Sequence, residues 1–212
     1  MNYYNTNTNQ VITRTLMDYM ALPKDDTVLA QLGYFPVTYN YPTVDKELEH
    51  FVPEGELIRE GDHYVQNFKV LPNDDDTLKS NMNRIAEDKA NEARSQADEV
   101  AKPYLADYSD VEKQTWPQQQ LEVKAYLQNN EVATPTLDSL AEARGISREL
   151  MLEKAVAKVT AFEPIAAKIV GKQQAYEDEI KSITNNADLS LVDRINKLRN
   201  LFFTYDSITE DA

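Results

Sequence analysis

The sequence predicts an α+β fold, with a small irregular N-terminal β module followed by a mainly α-helical region with long helices. Two observations carry this. The first 72 positions hold 7 of the 12 tyrosines and 5 of the 9 prolines, and there aromatic or β-branched residues alternate with polar ones, which is strand patterning. Beyond residue 72, apolar residues recur at spacings of three and four, which is helical patterning. The total of 212 residues, 42% of them hydrophobic, suffices for one large domain or two small ones, each able to bury a core. The reading divides the chain into a Tyr/Pro-rich β module at 1–72, a connecting helix at 73–107 and a helical domain at 108–212.

In the first part, "YFPVTYNY" (34–41) and "DHYVQNFKVL" (62–71) read as strands, and "QVIT" (10–13) as a further short one. "PEGE" (53–56) and "EGD" (60–62) read as turns flanking a short "LIR". Tyrosine offers a rigid apolar body and a polar tip, which suits interfaces. Tyr34, Phe35, Tyr39 and Tyr41 are therefore candidate partner-binding residues. The competing reading, weighed equally, is that these side chains fill the thin core of the module.

Pro72 stops the last strand, and Asp74, Asp75 and Asp76 sit where a helix begins. Acidic side chains there cap free N–H groups and oppose the helix dipole. A calcium loop needs a glycine and a distal bidentate glutamate that this stretch lacks. From Thr77 to about Leu105 the seam runs Leu78, Met82, Ile85, then Ala86, Ala90, Ala93, Ala97 and Ala101. Alanine permits close helix approach but buries little area. The seam suits a helix lying on its own domain or, less simply, an oligomeric coil. Its flanks carry Glu87, Asp88, Glu92, Arg94, Asp98 and Glu99, so parallel copies would bring like charges together at a cost that salt screens. The expectation is a monomer or weak oligomer in isolation and a three-fold arrangement only in complex.

Ser109 and Glu112 have capping-box spacing. Pro117, beside the only tryptophan, must kink the helix at 109–129 or start it after a separate short turn. Trp116 is expected to be a core latch against the long helix at 146–183, with no ligand-stacking role. "ATPTLDSLAEARG" (133–145) is a compact helix with Thr134 at the N-cap, Pro135 at N1 and Gly145 past its end. The long helix starts at Ser147, with a kink or break predicted near Pro164 and Gly171. Residues 188–205 read as one amphipathic helix with Leu191, Val192, Ile195, Leu198 and Leu201 or Phe202 on one side. The end, "DSITEDA", is expected to fray.

The chemistry is sparse. A net charge of −14 repels phosphate backbones and anionic lipids, which argues against nucleic-acid and membrane partners. The absence of cysteine removes disulfides, thiolate nucleophiles and cysteine-based zinc sites. The two histidines, His50 and His63, stand outside any ligand spacing or hydrolase motif. No phosphate-cradling glycine loop occurs. No catalytic, cofactor or metal residue is assigned. Carboxylates on the helices alternate with lysine, as on solvated faces. Lys172, Gln173, Gln174 and Glu177 suit a polar helix–helix contact. The polar start is not a signal peptide, and no stretch is apolar for the length of a membrane helix.

Residues 108–183 carry a resemblance. The order is Tyr108-Ser109, Glu112, Thr115-Trp116-Pro117, Gln119 or Gln120, and Glu122. Then come Ala133, Thr134-Pro135, Leu137-Asp138, Leu140-Ala141 and Ala143-Arg144-Gly145, and finally Gly171, Gln173-Gln174, Asp178 and Ile180. This is similar to the helical C-terminal region of tailed-bacteriophage tail-fibre assembly or tail-fibre-associated proteins. "LGYFPV" (32–37) resembles the β module such proteins place first. The chain departs from that pattern at "EVKAYLQNN", where the family is richer in alanine, and at "GKQQ" (171–174), where it often has "GRRQ". The resemblance implies a non-enzymatic tail protein that binds the tail fibre or baseplate, as an assembly factor in the host cytoplasm or an adaptor in the virion. The alternative is a structural fibre or baseplate subunit trimerising through the helix at 78–104. A glycan hydrolase is a third reading, and no carboxylate pair in a recognisable β scaffold supports it.

Overall fold

Strand chemistry dominates the start of the chain, and a five-stranded sheet results. The computed structural model describes residues 1–205, so the C-terminal "DSITEDA" stretch lies outside the described residues. The chain forms two compact units, 1–81 and 82–212. The division falls beyond Pro72, inside a helix.

The first unit comprises β1 (Asn2–Asn5), β2 (Gln10–Thr13), α1 (Arg14–Tyr19), α2 (Asp26–Gln31), β3 (Tyr34–Asn40), β4 (Glu49–Glu60) and β5 (His63–Pro72). The spatial order is β2-β1-β3-β5-β4. Only β3 and β5 are parallel, joined in register from Val37↔Tyr64 to Asn40↔Asn67. Pro36 pairs with Tyr3 on β1, just before the β5 pairing begins at Val37, so its missing N–H costs the sheet little. Gly33 sits at φ +86°, and a Cβ there would lie 2.8 Å from the Asn7 side chain and 2.9 Å from that of Thr6. Only glycine fits this entry to β3.

Three expectations for this unit are corrected. "PEGE" is no turn: β4 runs through it as a 12-residue strand, and the ladder absorbs an irregularity between Glu54 and Ile58. Gly55, at φ +65°, makes this a bulge. The chain reverses at "EGD" instead, with Glu60 paired to His63. Two short helices also form where little helical periodicity is visible. Each is held by a local cap, Thr13 for α1 and Asp25 for α2. One apolar residue from each, Met17 and Leu29, is fully buried with Tyr3 and Tyr34.

The helix α3 spans Asp75–Leu105. Its start is capped as expected: Asp74 accepts from the Thr77 N–H at 2.7 Å, and that bond holds its carboxyl below the usual range. The second unit continues with α4 (Asp110–Gln128), α5 (Pro135–Arg144), α6 (Arg148–Thr184) and α7 (Leu191–Arg199). Ser109, Ser147 and Ser190 cap α4, α6 and α7 through their hydroxyls. Pro117 lies inside a continuous α4, with no separate turn before it. The 37-residue α6 is likewise unbroken through Pro164 and Gly171. At 1.5 Å per residue it is about 55 Å long. No described helix is long and apolar enough to cross a membrane.

The core of this unit lies where α4, α5 and α6 meet. Val123, Leu137, Ala141, Met151, Leu152 and Ala155 are buried together. One charged group enters it. Glu122 is 4% exposed, and its carboxylate accepts the N–H groups of Thr136 and Leu137, each at 3.0 Å, and the Gln118 amide at 3.1 Å. It thereby caps α5 from a neighbouring helix. Thr134, the expected N-cap, makes no capping bond of its own. Its hydroxyl instead donates to Asp138 and accepts from Arg148. Burial pushes the Glu122 carboxyl up, and the three donors outweigh it, so the net shift is downward.

The expected helix over 188–205 is shorter. It ends at Arg199, and Phe202 is 85% exposed. The extended segment after it is held by side chains. Tyr205 is buried with Ala97 and Ile169 and donates to the Ala93 carbonyl at 3.0 Å, while Tyr176 donates to the Thr204 carbonyl at 2.6 Å.

Candidate interaction surface

Alternation along paired strands sorts the side chains of the N-terminal sheet onto two faces. One face carries Tyr3 and Tyr34 and is covered by α1 and α2. The other carries, in register, Tyr4 from β1, Phe35, Val37 and Tyr39 from β3, Tyr64, Gln66 and Phe68 from β5, and Phe51 from β4.

The rings on this second face form two groups. Tyr4 and Tyr64 lie 4.6 Å apart, and Tyr64 meets Phe35 edge-on at 5.7 Å. The Arg59 guanidinium lies 4.5 Å above Phe35. Further along, Tyr41 stacks on both Tyr39, at 5.6 Å, and Phe68, at 4.8 Å, and Phe51 packs edge-on to Phe68 at 5.3 Å. Each such pair contributes about 0.5–1.5 kcal/mol beyond area burial, so the rings hold one another in place. Tyr39 is further fixed by the Asn2 amide, which donates to its hydroxyl at 2.7 Å. Tyr41 remains 60% exposed, and Tyr39, Phe51 and Phe68 are half-buried.

The four residues proposed from sequence therefore separate. Tyr34 is 9% exposed and Phe35 is 8% exposed. Both are core, Tyr34 under the helices and Phe35 under Tyr64 and Arg59. They leave the candidate surface because consecutive strand residues point to opposite faces, and Phe35 is covered on its own face. Tyr39 and Tyr41 stay on it and are joined by Phe51 and Phe68, which sequence reasoning missed. The alternation in "DHYVQNFKVL" was the available signal for Phe68. What was lacking was the parallel pairing of β3 with β5.

The other residues singled out lie in or at the edge of the helical unit. Trp116 meets Phe162 of α6 edge-on at 5.7 Å and Tyr108 at 5.0 Å. It is half-buried, and Pro117 beside it is exposed. In the seam, Leu78, Met82, Ile85, Ala93 and Ala97 are buried, while Ala86, Ala90 and Ala101 are half-buried. Ala97 is covered by Ile169 and Tyr205 of the same chain. Glu177 binds Arg94 across α3 and α6 at 2.8 Å and accepts from Gln173 at 3.3 Å, the polar helix–helix contact expected there. His50 is exposed beside Asn73, and His63 sits 3.2 Å from Asp62. Among the described residues no group of three or more histidines and carboxylates is placed to hold a metal ion.

A family described as the HI1402 helical domain matches residues 157–196, most of α6 and the start of α7. No curated protein matches the chain, and no solved structure does.

Proposed function

We propose that this chain is a non-enzymatic tail protein of a bacteriophage that binds the tail fibre, as an assembly factor in the host cytoplasm or as an adaptor in the tail, and that the aromatic face of its N-terminal sheet is the binding surface. The motif resemblance over residues 108–183 supports the tail setting. The observation that carries the binding role is the stacked group of Tyr39, Tyr41, Phe51 and Phe68, with Tyr41 60% exposed. Rigid aromatic area that is already ordered loses little entropy on association, the usual character of an interface anchor. Fibres are long β-rich trimers that fold slowly and expose edges while doing so, and a partner that covers such surface needs area more than catalytic groups. The alternative of a coil-forming subunit loses support because Ala93 and Ala97 are buried and Ala97 is covered by the chain's own Ile169 and Tyr205.

The test is co-expression with the fibre protein encoded beside this gene, followed by affinity capture. Tyr41→Ser combined with Phe68→Ser should abolish capture while leaving the 222 nm signal of the helices intact. Capture undiminished by the double substitution would overturn the assignment of the surface, and a gene neighbourhood without a fibre would overturn the setting. Mass spectrometry of purified virions then separates adaptor from assembly factor.

A further inference from the structure

A cleft of about 430 Å³ opens between α4 and α6, closed at one end by Tyr104 and Tyr108. Its walls are Trp116 and Pro117 on one side and Val159 and Phe162 on the other. The volume is that of a ligand site. The rings are set steeply to one another, Tyr108 to Trp116 at 79° and Trp116 to Phe162 at 65°, so they wall a slot and do not close over it.

The polar groups of the cleft define what would fill it. Its charged residues are already paired: Lys113 with Asp110 at 3.3 Å, Lys158 with Glu112 at 3.1 Å, and Glu163 with Lys124 at 2.6 Å. A charged ligand would have to break one of these pairs, so the site suits a neutral one. The Trp116 indole N–H and the hydroxyls of Tyr104 and Tyr108 make no hydrogen bond among the described residues. A slot rich in unused donors and flat apolar walls suits a ligand rich in acceptors and poor in donors. A polyproline II segment has that chemistry, because proline presents a carbonyl and a flat apolar ring and has no N–H. Aromatic-lined grooves bind such segments at low entropic cost.

We propose that this cleft is a docking slot for an extended, proline-bearing segment of a partner protein, with a proline ring against Trp116 and carbonyls accepting from the indole and the tyrosine hydroxyls. Trp116 is then both a contact to α6 and a binding residue. The slot is separate from the aromatic face of the sheet and does not depend on it.

Because Trp116 is the only tryptophan, its fluorescence reports on the slot in the intact chain. Titration with a deca-proline peptide should give a saturable emission change below millimolar concentration, and a Gly/Ser decapeptide of equal length should give none. Tyr108→Phe keeps the ring and removes one donor, and should weaken binding several-fold. Ala161→Arg, at an exposed position on the rim, should block binding with the melting curve unchanged. No saturable response to deca-proline up to millimolar concentration in the folded native chain would overturn the proposal, as would an unchanged response in the folded Ala161→Arg variant. A stronger response to an amphipathic helical peptide would overturn it in favour of a helix-binding groove.

Discussion

The two units use aromatic residues in opposite ways. In the N-terminal sheet, rings line the face that no helix of the unit covers, and the core beneath α1 and α2 is small: Tyr3, Met17, Leu29 and Tyr34. In the helical unit the packed centre is aliphatic, Val123, Leu137, Met151 and Leu152, and the rings stand at its edge around Trp116. A sheet of five short or irregular strands cannot bury both faces with two six-residue helices, so one face is left to side chains that stabilise each other. Three long helices bury their apolar stripes mutually and leave rings only where Pro117 and the α3–α4 connection open the packing. Aromatic content alone therefore says little about function here; what a ring is covered by decides.

Substitutions can break this contrast, and the largest effect is expected within the β module. Tyr34→Ala should cost about 3–5 kcal/mol, as for other large-to-small core changes, and abolish the cooperative melt of the sheet. If it costs no more than Tyr41→Ala, the two faces of the sheet are not distinct. Next is Glu122→Ala, which leaves the Thr136 and Leu137 N–H groups buried without acceptors, at about 3 kcal/mol. For a unit of this size that lowers Tm by roughly 10 °C.

The same carboxylate sets a pH dependence. Its pKa is lower in the folded chain than in the unfolded one, so its contribution is present above the unfolded carboxyl value, about 4.3. That contribution is lost as pH falls through the lower folded value. Glu122→Gln should therefore flatten the acid limb of the stability curve, read as Tm between about pH 5 and 2; an unaltered slope would remove the capping role.

Trp116→Ala is expected to be milder, about 2 kcal/mol, because the indole is half-buried. A Tm change within about one degree would refute the latch to Phe162. The smallest effect on stability is expected for Tyr41→Ala, about 0.5 kcal/mol or less, since the ring is mostly exposed. Its loss should show in fibre capture instead. Light scattering sharpens the last point: the isolated chain should run as a monomer or weak oligomer, and a salt-independent trimer at micromolar concentration would restore the coil-forming subunit to first place.

Much of the helical unit was legible because its determinants are local. Ser109, Ser147, Ser190 and Gly145 act within one turn of the elements they bound, and the three- and four-residue spacing of Leu78, Met82 and Ile85 needs only the helix period. Local rules also had limits. Proline reads as a break, yet α4 and α6 continue through Pro117 and Pro164, because packing along the rest of each helix outweighs one lost hydrogen bond. The cap of α5 was invisible from its own sequence, since the acceptor is Glu122 on another helix. In the sheet, alternation identified strands but not their partners. The parallel pairing of β3 and β5 joins segments whose sequences carry no mark of each other, and it brings Tyr39 and Tyr41 against Phe51 and Phe68. Sequence by itself determined which segments are helix and which are strand, and the chemistry the chain lacks. Only the tertiary structure decided which aromatic residues are core and which are surface, because burial depends on what another part of the chain lays over them.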